Sequence, residues 1–171
     1  MKRLFLSVFM LLVAFATFAQ SRPKLIVGIV VDQMRWDYLH RYYNLYCEGG
    51  FKRLMNEGFD CENTMINYIP AITAVGHTSI YTGAVPSIHG IQANNFLLNG
   101  KMTYCTADST VSGVGTDSKA GQMSPRNMLT TTIGDELKVA TNFKSRVFCV
   151  SIKDRAAILP AGHAADAAYW I

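Results

Sequence analysis

Lys24-Leu-Ile-Val-Gly-Ile-Val-Val31 runs straight into Asp32, and the reading of this stretch decides the fold. After Lys24 it is apolar throughout and mostly β-branched, without the alternation of a strand that has one wet face. A strand covered on both faces, as in a parallel sheet between helices, has this composition. Asp32 then falls at the carboxyl end of the strand, the edge at which open α/β sheets hold ligands. A second stretch, Pro70-Ala-Ile-Thr-Ala-Val-Gly-His-Thr-Ser-Ile-Tyr-Thr-Gly83, reads as a loop turning into a helix over 73–82 that Gly83 ends. A carboxylate ending a buried strand, beside the Thr73 hydroxyl at a helix start, suits a cation-activated alkoxide that attacks a phosphoryl group.

Outward from these two stretches, strands and helices alternate. Trp36, Leu39, Tyr43 and Tyr46 recur at helical spacing, which predicts a helix over 33–46 stopped by Gly49-Gly50. A second short helix is expected over 51–57, with Gly58 just past its end. Residues 59–66 read as a strand. Asn99-Gly100 between two apolar runs is a strong hairpin signal over 96–104. The Ser-, Thr- and Gly-rich stretch 107–121 reads as an exposed loop. Ser124-Pro125 then predicts a helix to about residue 140. Residues 146–152 read as another buried strand, 153–159 as a helix broken by Pro160-Ala-Gly162, and 168–171 as the start of a further strand. The expected fold class is α/β, a partial three-layer sandwich with a mostly parallel sheet.

The chain has 171 residues, enough for one modest domain. Lys2 and Arg3, the apolar run over 4–15 and the small residues Thr17 and Ala19 read as a secretory signal peptide over 1–19; the run is short for a membrane span. Residues 20–171 then form the remaining domain, exported to the periplasm or secreted, with no stable membrane span after cleavage. They carry 14 basic and 12 acidic side chains, a net charge of +2, and the cations are scattered. That is no nucleic-acid footprint. Cys47, Cys61, Cys105 and Cys149 permit disulfides in an exported chain but leave the pairing open, and none has the CxxC spacing of a zinc finger.

Each candidate residue carries a second, structural reading. Asp32 is a competent oxygen ligand for zinc, or equally an N-cap for a helix beginning near Arg35. Thr73 is a nucleophile once a cation stabilises its alkoxide, or a plain N-cap. A helix start there would also offer N–H groups and partial positive charge to a phosphate. His77 on an apolar helix face and His89 in a turn read as hydrogen-bonded structural residues rather than ligands. Asn94 can donate to a phosphoryl oxygen, or serve the turn before the hairpin. Lys153 and Arg155, two residues apart at a strand-to-helix turn, can both reach one dianionic phosphate. The alternative is a solvated helix start, where cations run against the helix dipole.

Taken together, residues 22–38, Gly50-Phe-Lys-Arg-Leu54, Thr73-Ala-Val-Gly-His-Thr78, Ile88-His-Gly90, Asn94 and Lys153-Asp-Arg155 resemble the alkaline phosphatase superfamily, and most of all its secreted, single-threonine, phosphate-irrepressible members. The resemblance implies a phosphate-monoester hydrolase that works through two zinc ions and a phospho-threonine. It implies Thr73 as nucleophile and zinc contact, Asp32 as a zinc ligand, and Asn94, Lys153 and Arg155 as phosphate-binding residues. It gives no metal role to His77 or His89. The substrates it implies are small phosphate monoesters. In that family five further zinc ligands lie beyond the position of Ile171, so the chain is expected to be the amino-terminal part of a longer enzyme and inactive alone. Two rivals remain: a phosphodiesterase or nucleotide pyrophosphatase of the same superfamily, and a non-catalytic exported module.

Overall fold

The computed structural model describes residues 23–171, so the expected signal peptide lies outside the described residues. The chain divides into two units at Val31/Asp32. In the first, residues 24–31 form no strand, contrary to the sequence expectation, and Leu25, Ile26, Val27 and Ile29 are exposed. A strand of this composition exists only when neighbouring strands bond its backbone and layers cover both faces. Among the described residues it has no ladder partner.

The second unit is α/β, with six α-helices and four strands among the described residues: α1 Asp37–Arg41, α2 Phe51–Glu57, α3 Thr73–Thr82, α4 Pro86–His89, β1 Asn95–Leu98, β2 Lys101–Tyr104, α5 Ile133–Ala140, β3 Phe148–Val150, α6 Asp154–Ala161 and β4 Ala167–Tyr169. Two elements end where their punctuation predicts. α3 stops at Gly83, whose φ of +66° is the left-handed cap a Cβ would disfavour. β1 and β2 pair antiparallel around Asn99 and Gly100, both at positive φ, as the right-handed twist of a two-residue hairpin requires.

Others are shorter than expected. The helix over 33–46 breaks into α1 and a 3-10 turn at Tyr43–Leu45. Four tyrosines, a tryptophan and a histidine crowd this segment, and aromatic side chains lose rotamer freedom in a helix. Residues 59–66 pair with no strand, and Phe59 and Met65 are exposed. The helix predicted from Ser124 begins only at Ile133. Ser124 instead donates to Asp108 at 2.6 Å, while Thr132 and Asp135 form the capping box that sets the true start of α5.

β3 and β4 pair parallel. This is the parallel pairing seen among the described residues, and β3 is largely exposed rather than buried as its sequence suggested. α6 tolerates Pro160 near its carboxyl end. Proline lacks the N–H that Ala156 O would accept, and the Cys149 Sγ approaches that oxygen at 4.0 Å. Gly162, at φ +85°, ends α6 against Thr132 and Asp135, where a side chain would collide with the α5 capping box.

The core lies between α3, the hairpin and α6, and gathers Ala74, Ile91, Phe96, Cys105, Met128 and Leu159. α3 and α6 pack together, with Ala74 of α3 and Leu159 of α6 in the same core, and Ala157 of α6 is also fully buried. His89 is locked in the same region: Ile91 N–H donates to its Nδ1 at 3.1 Å, so its Nε2 carries the proton toward Ser79 Oγ at 2.9 Å. Burial lowers its pKa, which favours that neutral form. The four cysteines are unpaired, and burial pushes the Cys105 thiol up to about 11.

Candidate active site

The start of α3 collects the candidate residues. Ile72, in extended backbone, occupies the cap position, so Thr73 is the first helical residue and its side chain caps nothing. Its hydroxyl donates to Asp32 Oδ2 at 3.1 Å. Asp32 is likewise no helix cap, because α1 begins at Asp37 without a side-chain cap. The two structural alternatives for this pair therefore fail together: each group is spent on the other.

Asn94 joins them from the base of the hairpin. Its Oδ1 accepts from Ala74 N–H at 3.1 Å, satisfying a donor of the first turn of α3. That bond assigns the carbonyl inward and leaves the amide's two N–H donors for another acceptor. His77, 7 % exposed, holds Thr73 O at 2.9 Å through Nδ1 one turn on, a structural contact like that of His89.

Lys153 and Arg155 open α6. Lys153 takes the extended cap position and is exposed. Arg155 is mostly buried, and its Nη1 donates to Tyr104 OH at 2.8 Å. Tyr104 ends β2, and the next residue, Cys105, donates its N–H to Asn94 O at 2.9 Å. The hairpin base thus ties the Lys-x-Arg turn to Asn94 and the α3 start. Lys153 has no side-chain hydrogen bond to the other candidates among the described residues.

The sequence reading missed Tyr104 and Asp154. Tyr104 looked like one more apolar residue of the hairpin, and Asp154 like a spacer between two cations. The second carried a signal: an acid between two cations ought to neutralise one of them unless other donors claim it.

Asp32 and Thr73 suit a cation. Two oxygen ligands about 2.1 Å from a tetrahedral zinc stand about 3.4 Å apart, close to the 3.1 Å seen between these atoms. Electrostatics agree. A bare carboxylate beside the hydroxyl opposes its ionisation, and only a positive charge shared by both turns the arrangement toward an alkoxide. Two donors do not complete a zinc site, and among the described residues no three of His, Cys, Asp and Glu cluster to hold a metal.

Comparisons with known proteins bear on the family of the chain. The sequence profile described as type I phosphodiesterase / nucleotide pyrophosphatase matches residues 26–170. A protein named calcium-transporting ATPase from Myroides odoratus is 60% identical over 153 residues, 88% of this chain and 28% of that protein. Alkaline phosphatase PhoV from Synechococcus elongatus is 60% identical over 152 residues, again 88% and 28%. Among solved structures, wild-type alkaline phosphatase PafA superposes with a TM-score of 0.86 at 59% identity, over 89% of this chain and 30% of that one. A PafA mutant with substitutions at one threonine, one asparagine, one lysine and one arginine superposes with a TM-score of 0.85 at 57% identity. The chain therefore spans 28% to 30% of the length of these relatives. With a family profile running over almost the whole sequence and a backbone this close to that of a phosphatase, the chain belongs to the type I phosphodiesterase / nucleotide pyrophosphatase family, within the alkaline phosphatase superfamily.

Proposed function

We propose that this chain is the amino-terminal part of an exported enzyme that hydrolyses phosphate monoesters, with Thr73 as the nucleophile. The observation that carries this reading is the 3.1 Å contact between Thr73 Oγ1 and Asp32 Oδ2, made by two side chains that serve no helix cap. The PafA mutant supports it. The threonine and asparagine substituted there are separated by the interval that separates Thr73 from Asn94, and the lysine and arginine are two positions apart, like Lys153 and Arg155.

Asp32 and Thr73 would hold the cation, for which zinc is the expected metal; it would supply the positive charge that lowers the pKa of the hydroxyl. The remaining work falls to side chains. Thr73 attacks phosphorus in line and becomes phosphorylated. Lys153 and Arg155 offset charge on the equatorial oxygens and Asn94 donates a hydrogen bond to them as the transferring group departs from the ester oxygen. Water then releases phosphate from the threonine. The helix dipole at the start of α3, with the first-turn N–H groups other than that of Ala74, would favour the same anion.

A monoester dianion carries one more negative charge than a diester. Two cations at one turn, Lys153 exposed and Arg155 anchored, fit the dianion better, which favours monoesters over the diesters in the family description. Isolated, the chain is expected to be inactive.

The test is Thr73→Ala in the full-length enzyme. Loss of the nucleophile should lower monoester turnover by at least about a thousandfold; undiminished turnover overturns the assignment. Lys153→Ala with Arg155→Ala should cost monoester hydrolysis far more than diester hydrolysis, and equal losses would return the reading to a diesterase.

A further inference from the structure

Arg155 does not stand alone. Tyr104 OH accepts from its Nη1 at 2.8 Å and donates onward to Asp154 Oδ1 at 2.8 Å. Asp154 Oδ2 accepts from the buried Thr106 hydroxyl, also at 2.8 Å. Both oxygens of Asp154 are therefore claimed by hydroxyls on and just after β2. Its closest approach to the neighbouring guanidinium is 3.9 Å, too long for a hydrogen-bonded pair. This resolves the oddity of an acid between two cations: Asp154 orients a phenol and leaves Lys153 and Arg155 their charge.

We propose that Tyr104 is a positioning residue for phosphate recognition: its hydroxyl, oriented by Asp154 and Thr106, fixes the Arg155 guanidinium for the transferring phosphoryl group. The inference rests on the phosphatase reading above and extends it to a side chain that touches the arginine rather than the substrate. Engaging Nη1 fixes the plane of a long, rotamer-rich side chain; Nε is buried without a partner, and Nη2, which makes no hydrogen bond among the described residues, is the donor left for a phosphate oxygen. The phenol must keep its proton to donate to Asp154. Burial is the main reason its pKa is raised, and the Asp154 bond acts in the same direction.

Tyr104→Phe in the full-length enzyme removes the hydroxyl and little else. The kcat/KM for an aryl phosphate monoester should fall about tenfold, the effect of losing a hydrogen bond to a charged group. Inhibition by inorganic phosphate should weaken in parallel, and diester hydrolysis should hardly change. In an Arg155→Ala background the same substitution should cost almost nothing further, because its effect passes through the arginine. Thr106→Val, which frees one oxygen of Asp154, should cause a smaller loss of about threefold with the same monoester selectivity, and keeps the test open if the phenylalanine variant folds poorly. Full additivity of Tyr104→Phe with Arg155→Ala, or equal losses on monoesters and diesters, overturns the proposal. If Arg155→Ala itself leaves monoester turnover intact, the phosphate-binding reading fails first. If Arg155→Ala is slow and Tyr104→Phe is not, only the role of Tyr104 falls.

Discussion

The α3–hairpin–α6 block and the β3–β4 pair both carry apolar residues, yet the block holds the core cluster and the pair does not. In the block, Ala74, Phe96, Cys105 and Leu159 are buried, and Ala74 N–H and the Thr78 and Thr106 hydroxyls are answered by hydrogen bonds. In the pair, Phe148, Val150 and Tyr169 stay more than half exposed. The difference is one of partners. On its inner side the block packs Ala74, Phe96 and Leu159 against one another, while its outward residues Ile80, Leu97 and Met102 are about as exposed as Phe148 and Val150. Hydrophobic composition says that a segment wants cover, and only the rest of the fold supplies it.

The comparison breaks most sharply at Leu159. Leu159→Ala should cost about 2–5 kcal/mol in urea unfolding, since the side chain is fully buried and its cavity cannot collapse freely. A loss under about 1 kcal/mol would mean that the block is not the cooperative core. Acid is the next lever. Lys138, Val147 N–H and Arg146 hold Asp166 below the usual carboxylate range, and Ser124, Thr110 and Arg126 do the same for Asp108. Folded pKa values below the unfolded value of about 3.9 mean stabilisation that is complete above about pH 5 and is lost progressively as pH falls below about 4 and through the depressed folded values. Asp166→Asn and Asp108→Asn should each flatten the acid limb of a stability–pH curve; an unchanged limb refutes the assignment.

Asp135→Ala removes one half of the α5 capping box and the acceptor for Ala164 N–H, and should cost about 2 kcal/mol by denaturation. Gly100→Ala forces a Cβ onto φ +79° and should cost about 1 kcal/mol, with loss of hairpin amide protection in hydrogen exchange. The smallest effect sharpens the contrast. Val150→Ser in this chain should change stability by no more than about 0.5 kcal/mol. The same substitution in the full-length enzyme should cost clearly more if further chain covers β3.

What the sequence made legible follows the same division. α3 with Gly83, the Asn99-Gly100 turn and α6, apart from its run through Pro160 to Ala161, are set by residues within a few positions of each other. So are the candidate residues themselves, because Thr73 follows its loop and Lys153 its strand. What stayed hidden depended on distance along the chain. Ser124 looked like a helix cap because its real partner, Asp108, lies 16 residues back. Residues 24–31 looked like a strand because composition cannot report whether a neighbour is present. Tyr104 looked apolar because its role appears only when α6 brings Arg155 against it.

The full burial of Ala74 on α3 and Ala157 on α6 has one more implication. A buried methyl group in a close-packed interior leaves no room for a larger side chain, so a bulkier residue there must displace its surroundings. Ala74 directly follows Thr73 and Ala157 lies two residues past Arg155, and neither carries any chemistry of its own. A larger side chain at either position should therefore strain the backbone that carries a candidate residue, at a cost of about 1–3 kcal/mol in unfolding.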